Sequence, residues 1–216
     1  MIALIRYQSA ILLRSHRWVF PLVAYALLLS VGGGRGQPLR DGLDWSAAVL
    51  VPVVAVLSRS MLTAEPGAAR ACVAAAAGPA RAQLATLLTA PGAGAVLALA
   101  GAGYEVLTDR AGPAGLLPVL GAGLATAVVC MLVGSSVGTL CNPPLVRHPI
   151  VALLGTTSAV VFALVAGVSP ASAALRGNGA TVPAPAWPSG VPLLVAAGLL
   201  AVSWTASVRA AARRGT

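Results

Sequence analysis

Residues 63–88 read TAEPGAARACVAAAAGPARAQLATLL and join two long apolar runs, so the fold turns on how this junction is read. Glu65, Pro66 and Gly67 break whatever helix precedes them. From Ala68 to Ala77 the composition is rich in alanine, which favours about two to three turns of new helix. Gly78 and Pro79 stop that helix, and Arg81 and Gln83 lead into the next apolar run. The junction is therefore a short helix set between two longer ones, with Arg70 and Arg81 available to water or to a partner.

Composition says what the longer helices cross. The chain is 58% hydrophobic and 9% charged, with a mean hydropathy of +0.89. A soluble domain carries about a quarter of its residues as charges, so this chain belongs in a bilayer. One span takes about 20 apolar residues, and 216 residues accommodate six with short connections. The expected fold is all-α: a polytopic integral membrane protein forming one transmembrane domain over residues 1–216. It has an N-terminal interfacial helix at 1–17, six transmembrane helices at about 18–34, 45–63, 83–104, 114–141, 149–168 and 188–208, and an intervening loop at 64–82.

Charge orients these spans. All 14 basic residues are arginine, against five acids. They sit between apolar runs and form no patch interleaved with aromatics, so nucleic acid is not the expected partner. With both termini on the cytoplasmic side, ten arginines lie inside (Arg6, Arg14, Arg17, Arg59, Arg70, Arg81, Arg147, Arg209, Arg213 and Arg214) and four outside (Arg35, Arg40, Arg110 and Arg176). That is the bias expected of a multi-pass protein of a cytoplasmic (inner) membrane.

Within the runs, Pro52 sits in the second span, and Arg59 lies in its last turns, where an arginine can snorkel to the interface or face a cavity. Gly32 to Asp44 reads as a polar outer loop. After the third span Glu105, Asp109 and Arg110 read as a solvated cap. Gly134 to Gly138, GSSVG, has the spacing of a helix-packing motif. The hydroxyls of Thr156, Thr157 and Ser158 are expected to bond back to their own helix. His16 reads as an interfacial cation. Cys72, Cys130 and Cys141 form no CxxC pair, and the latter two fall on an apolar run where cysteine packs as a small hydrophobe.

Several chemistries are missing. There is no GxxxxGK[ST] phosphate loop, no HExxH and no paired cysteines, and Ser135 and Ser136 have no histidine near them to build a nucleophile. No enzyme, metal site or cofactor is expected in this chain. With the acids assigned to loops, no span holds a buried acid of the kind that proton-coupled transport needs.

The junction at 63–88, a basic apolar N-terminal segment and six spans together resemble the permeases of bacterial ABC exporters of the ABC-2 type. The resemblance implies a membrane-spanning permease subunit that is a homodimer or a paired permease, bound to a separate ATP-binding cassette ATPase. It makes 64–82 the coupling loop, with Glu65, Arg70 and Arg81 as ATPase-coupling residues, and places Arg147 at a second, shorter contact. It also implies short re-entrant helices between Ser169 and Trp187. The alternatives are a non-transporting membrane anchor or regulatory protein and a small secondary transporter.

Overall fold

A computed structural model describes residues 2–32, 38–64, 67–108, 116–141, 146, 148–166, 169–179 and 190–213. Among these residues there are nine α-helices and no strand: α1 Ile2–Arg14, α2 Val19–Gly32, α3 Leu39–Ala64, α4 Gly67–Ala77, α5 Pro79–Thr108, α6 Leu116–Leu140, α7 Pro149–Val165, α8 Pro170–Gly179 and α9 Val191–Arg213. Helices α3, α5, α6 and α9, and the stretch 150–177 that takes in α7 and most of α8, are long and apolar enough to cross a membrane. Large apolar side chains point outward along α2 and α7, with Phe20 74% and Phe162 69% exposed, as lipid-facing surfaces require and water-facing ones avoid. The chain is an all-α polytopic membrane protein.

Several boundaries differ from the expectation: the helix of the third expected span runs over Pro79–Thr108 and that of the last over Val191–Arg213, and two further differences concern the first and second spans. The helix of the first expected span is 14 residues long, about 21 Å, against about 30 Å of hydrocarbon. The second begins at Leu39, not Trp45, so the residues Leu39–Asp44, expected in a loop, are helical. Pro38 explains this: its carbonyl accepts from the amides of Asp41 (3.0 Å) and Gly42 (3.2 Å), and the Asp41 carboxylate sits in the first turn, where the helix dipole favours it.

Helix α3 is the axis of the bundle. Ala47, Leu50, Val51, Val54 and Ala55 are completely buried on it, and α6 is its main partner. The GSSVG motif is what brings the two together. A Cβ on Gly134 would lie 2.6 Å from the Val51 carbonyl oxygen, and one on Gly138 would lie 2.7 Å from that of Ala55. Glycines four residues apart on α6 thus meet small or β-branched residues four apart on α3, backbone against backbone.

Helix α8 follows a polar corner. Ser169 Oγ accepts from the Ser172 amide at 3.0 Å, with Pro170 as the first helical residue. The serine hydroxyls return to the end of α7, Ser169 donating to the Ala163 carbonyl and Ser172 to that of Ala166 (2.6 Å). Helix α8 then packs against α3, α6, α7 and α9, with Ala171 fully buried.

Candidate functional site

One end of the bundle gathers α1, the start of α2, the end of α3, α4, the start of α5 and the end of α9; it is the α4 end below. Helix α4 is punctuated as the sequence suggests. Gly78 has φ +85°, the left-handed conformation that glycine adopts without strain, and its amide bonds to the Ala74 carbonyl at 2.9 Å. Pro79 then opens α5, and the Gly78 carbonyl accepts from the Ala82 amide at 3.1 Å. This Gly-Pro joint lets α4 and α5 meet with no intervening residue other than Gly78.

Helix α4 packs chiefly on α5. Ala69, Val73 and Ala77 are half-buried at helical spacing, while Ala68, Ala71, Cys72, Ala75 and Ala76 are exposed. Alanine methyls bury little area, so the attachment is weak, on the order of 1 kcal/mol per methyl even when fully buried. The described side chains of the free face are small and uncharged.

The neighbouring elements are fastened more firmly. His16, at φ +53°, turns the chain from α1 into α2, and Trp18 Nε1 donates to the Leu13 carbonyl at 3.2 Å across that corner. Arg17 Nη1 donates to the Thr63 carbonyl at 3.2 Å, tying the corner to the last turn of α3. Leu12 of α1 packs with Met61 of α3 and Ala90 of α5. Gln83 Nε2 donates to Ser207 Oγ at 3.0 Å in a buried bond between α5 and α9.

Of the four coupling residues expected from the sequence, Arg81 is exposed on the first turn of α5, just beyond the joint. Arg70 belongs to α4, while its side chain lies outside what is described. Glu65 and Arg147 lie outside the described residues, as do Asp109 and Arg110. Arg59 is half-buried one turn before the end of α3. Cys130 packs in the core as a small hydrophobe. Thr156 and Thr157 bond back to the carbonyls of Ala152 (2.7 Å) and Leu153 (3.0 Å), as expected.

The opposite end corrects one expectation. Glu105 is not a solvated cap: α5 continues to Thr108, and Glu105 lies within it, 5% exposed. A buried acid therefore does stand inside a membrane helix, contrary to the sequence reading. The signal for it was helical spacing, since Gly101 and Glu105 share a face of α5. Nearby, Arg40 and Asp44 of α3 and Pro118, Val119, Ala122 and Gly123 of α6 line an open hollow of about 180 Å³. Among the described residues no group of three or more His, Cys, Asp or Glu could hold a metal ion. The chain matches no family model, no curated protein and no solved structure.

Proposed function

We propose that the chain is the membrane-spanning permease subunit of an ATP-driven exporter of the ABC-2 type, working as a homodimer or paired permease with a separate ATPase. In this reading the protein sits in the bacterial inner membrane with both termini cytoplasmic, the orientation favoured by the arginine distribution. The observation that carries the reading is α4: a short helix, loosely held, with a small-residue face open at the arginine-rich end and a direct joint to a long apolar helix. A partner pressing on that face would move the start of α5 through Gly78 and Pro79. The Gln83–Ser207 bond would carry the displacement to α9.

The test is charge reversal beside the joint. Arg70→Glu with Arg81→Glu is compared with Arg35→Glu with Arg40→Glu, a pair expected on the outer side, each in the full chain co-expressed with the proposed ATPase partner. Charges that become desolvated against a partner matter far more than solvated ones, so the first pair should weaken ATPase co-purification at least about tenfold and the second should not. Wild-type behaviour of both pairs would remove the coupling role and favour the anchor reading.

The burial of Glu105 supports a second reading, a small secondary transporter driven by protons. It differs in needing no ATPase at all.

A further inference from the structure

Helices α2, α3 and α5 meet around two polar groups that are both buried. On α3, Gly42 and Ser46 are four residues apart; on α5, Gly101 and Glu105 are too, so the pairs face each other along one seam. At the first level a Cβ on Gly42 would collide with Glu105 Oε2 and lie 2.8 Å from its Cδ. One turn along, a Cβ on Gly101 would collide with the Tyr25 hydroxyl and lie 3.6 Å from Ser46 Cβ. The glycines therefore make room for the carboxyl and the phenol. Tyr25 is 3% exposed with Ser46 beside its hydroxyl, and Glu105 Oε1 has no hydrogen-bond partner. Ser46 spends its hydroxyl proton on the Leu43 carbonyl at 2.8 Å.

Among the described residues no cation answers the carboxyl. The titratable groups on the packed helices are Tyr25 on α2; Arg40, Asp41 and Asp44 on α3 near this end, with Arg59 at the other; Tyr104 beside Glu105 on α5, with Arg81 at the α4 end; and Cys130 on α6. Helices α1, α4 and α9 also touch α5, and their titratable groups are Arg6, Tyr7 and Arg14 on α1, Arg70 and Cys72 on α4, and Arg209 and Arg213 on α9. Arg40 and Asp41 are exposed, and Arg40 lines the hollow shared with α6. An ionised carboxylate buried without a partner costs several kcal/mol, and the neutral acid costs far less. A metal cation would need about six oxygens, and among the described residues no group of three or more His, Cys, Asp or Glu is gathered to supply them.

We propose that Glu105 is a proton-binding site: the packed seam of α2, α3 and α5 holds its carboxyl as the neutral acid, and release of the proton to water loosens that seam. The occupant is the proton itself, and the binding step is carboxylate plus proton giving carboxylic acid. The assignment stands under either functional reading, since it rests on the seam alone.

Infrared spectroscopy of the full chain in nanodiscs tests it. The sequence contains two glutamates, Glu65 and Glu105, so carboxyl-¹³C glutamate confines the shifted signal to two groups even if a variant fails to fold. In Glu65→Gln that signal comes from Glu105 alone. At neutral pH a carboxylic-acid C=O band is expected, giving way to carboxylate bands as pH is raised. Over the same range the thermal midpoint of the wild type should fall, because a buried charge is left behind, while that of Glu105→Gln stays level. Carboxylate bands alone at neutral pH would overturn the assignment, and parallel melting curves for wild type and Glu105→Gln would overturn the link to the seam.

Discussion

Replacing Gly134 by alanine tests the packing on which the bundle rests. The new Cβ would start 2.6 Å from the Val51 carbonyl oxygen, 3.2 Å from Val51 Cα and 3.3 Å from its carbonyl carbon. All three neighbours are backbone, so no side chain can swing away. Ordinary contact begins at 3.4 Å, and α6 must therefore back off from α3 by about 0.8 Å at this level. That displacement also loosens Gly138 against Ala55, one turn further on. Overpacking of this kind costs about 1–3 kcal/mol, while alanine in place of glycine returns about 0.5–1 kcal/mol of helix propensity. Gly121, on the same helix with nothing within 4 Å of its would-be Cβ, isolates the second effect. Unfolding of each variant in mixed micelles, followed by tryptophan fluorescence, should place Gly121→Ala level with or above the wild type. Gly134→Ala should fall about 1–3 kcal/mol below Gly121→Ala. Equal stability of the two variants would refute the backbone contact.

Two further outcomes follow from side-chain surroundings. Maleimide should modify Cys72 first, because it is exposed on α4, then Cys141, and leave buried Cys130 untouched. Burial pushes the Cys141 thiol up despite a hydrogen bond with Thr156 that pulls it down, so its labelling should be slow at neutral pH and accelerate as pH rises; equal rates at Cys72 and Cys141 would contradict this. A double-mutant cycle of Gln83→Ala and Ser207→Ala should return a coupling of about 0.6–1.7 kcal/mol, the range of buried bonds between membrane helices, and additive losses would show that the bond contributes nothing.

The parts legible in the sequence are those set by local chemistry. Apolar runs announce membrane helices, and the Glu-Pro-Gly and Gly-Pro breaks bracket α4 to within a residue, because backbone freedom at Gly78 and Pro79 is decided locally. The GSSVG spacing likewise marks a packing face, though not which helix it meets. The missed parts depend on neighbours. Leu39–Asp44 looks like loop by polarity, yet the Pro38 carbonyl and Asp41 start a helix there, with α5 covering one side of it. Glu105 looks solvated for the same reason, and only the glycine that faces it from α3 reveals that it is enclosed. Of the proposed coupling residues, only Arg81 has a described side-chain environment, and it is exposed.

The close approach of α3 and α6 also limits how this molecule can change shape. Where two backbones touch through Gly134 and Gly138, there is no layer of side chains to re-pack into a second arrangement, so the pair travels as one body. Helix α7 is different. It presents Ile150, Leu153, Leu154, Phe162 and Val165 outward and touches α3, α6 and α8 over limited areas. Any large rearrangement of the bundle thus has a fixed half, built on α3 and α6, and its sliding boundary lies where the contacts are sparse, around α7 and the alanine-faced α4.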